Sequence, residues 1–149
     1  MCNSRRPDFP VLRGLRNTPF VQRRLPVIPR KRVLIIDDDA KSCELLAAIL
    51  EQTYVVTVAR NGKAGVASAL SDPPDLILCD ILMAWVDGAP VVEQIQNNSA
   101  TAHIPVVLMT ANHELIGLPE TKGAMRFLQK PFETAQVHTL IADAISRAS

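Results

Sequence analysis

Apolar residues fall in short blocks along most of the chain, and between the blocks they recur every three or four positions. Val33-Leu34-Ile35-Ile36 is a continuous apolar run stopped by Asp37-Asp38-Asp39, the pattern of a strand buried on both faces. Cys43, Leu46, Ala47 and Leu50 then repeat at helical spacing and predict a helix over residues 40–52. Residues 54–58 are β-branched and short, a second strand. Asn61-Gly62 opens a helix whose expected inner face is Val66, Ala67 and Leu70, and Asp72-Pro73-Pro74 ends it. Residues 75–80 read as a third strand that finishes on an acid, Asp80. A loop through Asp87-Gly88 leads into a helix carrying Val91, Val92 and Ile95. The fourth strand covers residues 104–109 and is closed by Thr110; the fifth covers 125–129 and is closed by Lys130-Pro131. Val137, Leu140, Ile141, Ala144 and Ile145 form the stripe of a last amphipathic helix. Between the last two strands, Gly117, Pro119 and Gly123 predict a short or irregular helix.

Strands alternating with helices imply a parallel sheet with right-handed crossovers and helices on both faces. The composition agrees. The chain has 149 residues, about one domain. With 48% hydrophobic but only 4% aromatic residues, its core must be mostly aliphatic, which suits a buried parallel sheet.

The first thirty residues break the pattern. Pro7, Pro10, Pro19, Pro26 and Pro29 leave no helical or strand period, so residues 1–30 are expected to be an extended or disordered tail and residues 31–149 the folded domain. Charge divides at the same place: residues 1–32 carry nine Lys/Arg against Asp8 alone, whereas residues 33–149 carry seven Lys/Arg against fourteen acids. Such a tail suits plain solvation, contact with an acidic surface or nucleic acid, an organelle transit peptide, or a misplaced start codon. No apolar run approaches the ~18 residues of a membrane span, and the N-terminus lacks a secretory h-region. Cys2, Cys43 and Cys79 have no metal-ligand spacing and an odd count; Cys43 reads as a helix core position, Cys79 as a buried strand thiol, and a reducing cytoplasm is the expected compartment.

Candidate chemistry collects at strand exits. In an open α/β sheet, ligands bind beyond the carboxyl ends of the strands. Here those ends carry Asp37-Asp38, Asp80, Thr110 and Lys130. Each has a plainer role taken alone: the acids could cap the next helix, as Asp39 is expected to do, and Thr110 and Lys130 could be ordinary strand-end and turn residues. Together, three carboxylates at one edge repel unless a cation joins them, and all-oxygen ligands favour Mg²⁺. A carboxylate can be a covalent nucleophile, and phosphoryl transfer mainly needs a metal, an ammonium and a hydroxyl around it.

These motifs are similar to those of bacterial response-regulator receiver domains. Residues 33–39 resemble the family's first strand and acidic pair, and residues 80–88 its phosphoacceptor loop D-x-x-M-P-x-M-D-G. Residues 106–111 resemble its fourth-strand switch motif, and residues 127–132 its fifth-strand K-P-F motif. The likeness covers residues 32–147. It implies a flavodoxin-like, doubly wound (βα)5 fold with strand order 2-1-3-4-5. By position it also implies Asp80 as phosphoacceptor and Mg²⁺ held by Asp37, Asp38, Asp80 and the backbone carbonyl of Leu82. Lys130 and Thr110 would contact the phosphoryl oxygens, Phe127 would rotate inward with Thr110, and a cis bond would precede Pro131. The phosphodonor would be a histidine kinase or histidine phosphotransfer protein, and output a conformational switch read by a downstream protein, with no catalysis beyond the domain's own phosphorylation and dephosphorylation.

Departures from the pattern are expected to matter. Ala84 replaces the usual Pro and should loosen the loop after Asp80. Trp85 is a large residue beside the site that packs on the loop or meets a partner. Phe127 lacks the tyrosine hydroxyl of many members. Only 20 residues separate Thr110 from Lys130, which alters the output surface usual in the family. The chain stops after its last helix, so a single-domain regulator is expected. The alternatives are an interaction module without phosphate chemistry, a piece of a hybrid kinase, and a haloacid-dehalogenase-type phosphatase. Against the last, Lys41 stands where that family expects Thr or Val, and no acidic pair follows the lysine strand.

Overall fold

The computed structural model describes residues 29–148. The expected extended tail and its partners concern residues that lie, from 1 to 28, outside the described part.

Five strands form one parallel sheet: β1 (Arg32–Ile36), β2 (Val55–Ala59), β3 (Leu76–Asp80), β4 (Val106–Thr110) and β5 (Arg126–Gln129), in the order β2-β1-β3-β4-β5. This is the flavodoxin-like order implied by the resemblance. Helices α1 (Ala40–Leu50), α2 (Gly62–Ser71), α3 (Val91–Gln96) and α4 (Thr134–Ala148) cover the sheet. Alternate strand residues face opposite layers, because a strand turns successive side chains to opposite sides. Val33, Ile35, Leu76, Leu78, Val107 and Met109 pack in one core with residues of α1 and α4. Leu34, Ile36, Ile77, Cys79, Val106 and Leu108 pack in a second core with residues of α2 and α3. Apart from Arg32, Asp80 and Thr110 at their ends, strands β1, β3 and β4 are therefore apolar, whereas the edge strand β2 leaves Val55 and Val58 exposed.

Helix α1 starts where the acids stop. Asp39 caps it, accepting from the Lys41 N–H at 3.2 Å and the Ser42 hydroxyl at 2.8 Å. The inner face of α2 differs from the sequence reading: it is Gly62, Gly65, Val66 and Ala69, while Ala67 and Leu70 face solvent. The reason is close approach. A Cβ at Gly65 would lie 2.4 Å from Ile36 Cδ1, so the helix sits on β1 through a face with no side chain there.

Between β4 and β5 the chain makes two single 3-10 turns, His113–Leu115 and Pro119–Thr121, in place of a helix. Gly117 and Gly123 take φ of 99° and 92°, a backbone region that favours glycine and interrupts a helix. At the opposite edge of the sheet, the basic segment is tied to the domain as it enters β1. The Arg30 guanidinium donates to the Glu51, Thr53 and Tyr54 carbonyls, and Arg32 pairs with Asp72. Among the described residues no helix is long and apolar enough to cross a membrane.

Candidate functional site

The exits of β1, β3 and β5 bring Asp37, Asp80 and Lys130 into direct contact. Lys130 Nζ donates to Asp37 Oδ2 at 2.9 Å and to Asp80 Oδ2 at 2.6 Å. The other oxygen of each acid is held by a backbone N–H: Asp37 Oδ1 by Asp39 at 3.0 Å, and Asp80 Oδ1 by Leu82 at 2.8 Å. Asp37 is fully buried and Asp80 nearly so. Burial works against the Lys130 ammonium, but its hydrogen bonds to Asp80 and Asp37 outweigh that and hold its pKa above the ordinary lysine value. Burial also pushes up the neighbouring thiols: Cys79 far above the usual range, aided by the charges of Asp80 and Asp37, and Cys43 to a lesser degree. Both are free and buried, so they are packing residues here.

Other candidates lie near this cluster without joining it. Asp38 is exposed, and its carboxylate has no hydrogen bond or ion pair with a described residue. Thr110 is buried, but its hydroxyl donates to the Asn112 carbonyl at 2.7 Å and accepts from the Asn112 N–H at 2.9 Å, so it is bound locally and not to Asp80. Thr110, Asn112 and Leu115 line a small cleft together with Asp80, Leu82 and Lys130. The Leu82 side chain is 73% exposed. Phe127 is half-buried against the core under α2 and α3. The Lys130–Pro131 peptide bond is cis.

The loop after Asp80, where Ala84 replaces the usual Pro, is bonded at several points. Ala84 is fully buried, its carbonyl accepting from the Val91 N–H at 2.7 Å. Trp85–Val86 and Ala89–Pro90 form a small antiparallel hairpin around Asp87 and Gly88, whose φ of 51° and 79° suit a two-residue turn. Gln94 clamps both strands by donating to the Val86 and Ala89 carbonyls at 2.8 and 3.1 Å. Gly62 lets this loop sit against α2, since a Cβ there would lie 2.2 Å from Val86 Cγ2 and 2.6 Å from the Met83 carbonyl oxygen. Sequence reasoning missed Gly62, Gln94 and Asn112. The Asn61-Gly62 pair was visible only as a helix start. Trp85 remains 54% exposed at the hairpin's edge.

The donor set can be tested against a metal. Among the described residues no three Asp, Glu, His or Cys side chains stand together as a ready metal cluster. Lys130 bridges Asp37 and Asp80 instead. The chemistry of the set still fits a hard divalent cation: every candidate ligand is oxygen, and the two buried acids Asp37 and Asp80 share one ammonium, leaving net negative charge, with the exposed Asp38 next to Asp37 in the chain.

Comparison with known proteins places this arrangement. The model of the response regulator receiver domain matches residues 33–142. Response regulator PleD of Caulobacter vibrioides is 38% identical over 107 residues, covering 68% of this chain and 23% of PleD. Protein PilH of Pseudomonas aeruginosa is 33% identical over 105 residues, covering 68% of this chain and 87% of PilH. Against the first of these relatives, the chain spans about a quarter of the relative's length. Among solved structures, a putative response regulator from Chloroflexus aurantiacus superposes with a TM-score of 0.72 at 24% identity, covering 79% of this chain and 99% of that one, a likeness of fold. With the five-stranded sheet in the same order and a family match over most of its length, this chain belongs to the response regulator receiver domain family.

Proposed function

We propose that this receiver accepts a phosphoryl group on Asp80 from a phosphohistidine of a sensor kinase or phosphotransfer protein, and signals by a conformational switch. A carboxylate oxygen of Asp80 attacks phosphorus as the phosphorus–nitrogen bond of the donor breaks, and the imidazole leaves with the bonding pair. Asp37, Asp38, Asp80 and the Leu82 carbonyl would hold Mg²⁺, which when bound neutralises charge on the transferring group. Lys130 already touches Asp80 and would follow the phosphoryl oxygens as a second cation. Thr110 would leave Asn112 to donate its hydroxyl to the phosphoryl group, and Phe127 would turn inward behind it. The observation that carries this reading is Lys130 bridging two buried acids at the carboxyl edge of the sheet. Buried like charges so arranged are costly to keep, and function is what maintains them.

Output would pass to a downstream protein from the same chain or through a separate contact. That the chain spans about a quarter of PleD's length favours, as a second reading, a receiver that works as one module of a larger protein. The free buried thiols suit a reducing, cytoplasmic setting. Intact-mass spectrometry after incubation with acetyl phosphate and Mg²⁺ tests the chemistry. The wild type should gain one phosphoryl mass and Asp80→Asn none. No gain on the wild type, or the same gain in both, contradicts the assignment.

A further inference from the structure

The peptide group that joins Asp38 to Asp39 is gripped at both ends. Its N–H donates to Asp37 Oδ1 at 3.0 Å, and its C=O accepts from Arg60 Nη2 at 2.9 Å. Arg60 comes from a distant part of the chain, just beyond the end of β2. The pairing of β1 with β2 continues up to it, because the Asp37 N–H donates to the Ala59 carbonyl at 3.1 Å. Asp38 itself is exposed and its carboxylate has no partner among the described residues. It neighbours Asp37, and like charges push it away. A side chain with no partner takes its direction from its backbone. The two bonds on this peptide therefore fix the backbone from which the Asp38 side chain departs.

We infer that Arg60 is a positioning residue for the cation site. By holding the Asp38 carbonyl it fixes the backbone that carries the Asp38 carboxylate. The inference rests on the cation binding proposed above and adds a residue that lies outside the four family motifs. The charge of Arg60 acts in the opposite sense. A guanidinium on the Asp38 carbonyl repels a cation that approaches Asp38, so removing the charge alone would tighten binding. Removing the grip weakens it, as does loss of other outer partners of metal ligands, which costs about 10–100-fold in affinity. The Arg60 bond is exposed, which places its loss near the lower end, about tenfold. Positioning and charge thus predict opposite signs.

Titration calorimetry of Mg²⁺ into the full chain reads that sign directly, without any phosphodonor. R60A should bind Mg²⁺ about tenfold more weakly than the wild type, with its urea midpoint little changed. R60K keeps one donor able to reach the carbonyl and should stay within about threefold of the wild type. An R60A affinity equal to or tighter than wild type overturns the inference and leaves the cation site standing. R60K as weak as R60A, with the fold intact, also overturns it. A wild type that takes up no Mg²⁺ overturns both this inference and the cation in the proposed chemistry.

Discussion

Two parts of one sheet edge are held in different ways. At the exits of β1, β3 and β5, Asp37, Asp80 and Lys130 are joined across 50 and 93 residues of sequence by hydrogen bonds of 2.6 and 2.9 Å. At the exit of β4, the Thr110 hydroxyl is bonded only to Asn112, two residues on, although its backbone carbonyl still accepts from the Lys130 N–H at 2.9 Å. Asn112 in turn caps the Glu114 N–H at 2.9 Å, and Thr121 closes the second turn with the Leu118 carbonyl. The first part is fixed by the tertiary fold. The second is held mainly by local bonds, with one long-range tie from Gln96 Nε2 to the Gly123 carbonyl at 3.1 Å, over a stretch where a helix has given way to two short turns and Ile116 and Leu118 stay partly exposed. Local bonds break and re-form without unfolding the sheet. The difference separates a preassembled chemical side from a segment free to respond.

The largest test removes the tie of the first part. Lys130→Met leaves Asp37 and Asp80 buried without a cation, and breaking a buried pair from one side is strongly destabilising. Urea unfolding in the absence of divalent cations should show a loss of about 3 kcal/mol, at the low end of that range because Lys130 keeps some exposure. A loss well under about 1 kcal/mol would mean that the acids are held by something else. Gly62→Ala tests the floor of the loop that follows Asp80. Its new Cβ would press on Val86 and the Met83 carbonyl, and overpacking of this kind costs about 2 kcal/mol. It should also slow phosphorylation by acetyl phosphate, because the loop must shift. Thr110→Ala removes only the local clasp and should cost about 1 kcal/mol in the same unfolding assay, less than either change on the fixed side. A larger cost than Lys130→Met would reverse the comparison.

The smallest effect is a pH dependence at the start of α1. The Ser42 hydroxyl and then the Lys41 N–H hold the Asp39 carboxyl below its usual pKa. A lowered folded-state pKa gives stability that is present above the unfolded value, about 3.9, and is lost as pH falls through the folded value. Asp39→Asn keeps a cap but not the charge. It should unfold slightly more easily than wild type at about pH 7, with the gap closing near about pH 3 in urea melts.

The sequence was informative where a residue's meaning depends on its own neighbours along the chain. The apolar runs marked all five strands to within two residues, most plainly β1, β3 and β4, because strands buried on both faces show no alternation to misread. The order of polar residues at their ends pointed to Asp37, Asp80 and Lys130, since the topology must bring strand exits to one edge. Gly117, Pro119 and Gly123 marked the irregular segment. What could not be read were contacts made across the fold. The α2 face was misassigned because Gly65 is chosen by the proximity of Ile36, which no periodicity encodes. The Gln94 clamp on the loop after Asp80 was not legible because it lies in another element. The grip of Arg60 on Asp38 and the clasp of Asn112 on Thr110 are made to or by the backbone, and backbone bonds leave no residue signature.

The division between a fixed side and a responsive segment is tested most directly by hydrogen exchange on the full chain before and after phosphorylation with acetyl phosphate. Amide protection should change within residues 111–123, while the amides of β1 and β3 exchange as before. Unchanged exchange across 111–123 together with altered exchange in β1, β3 or α1 would contradict that division.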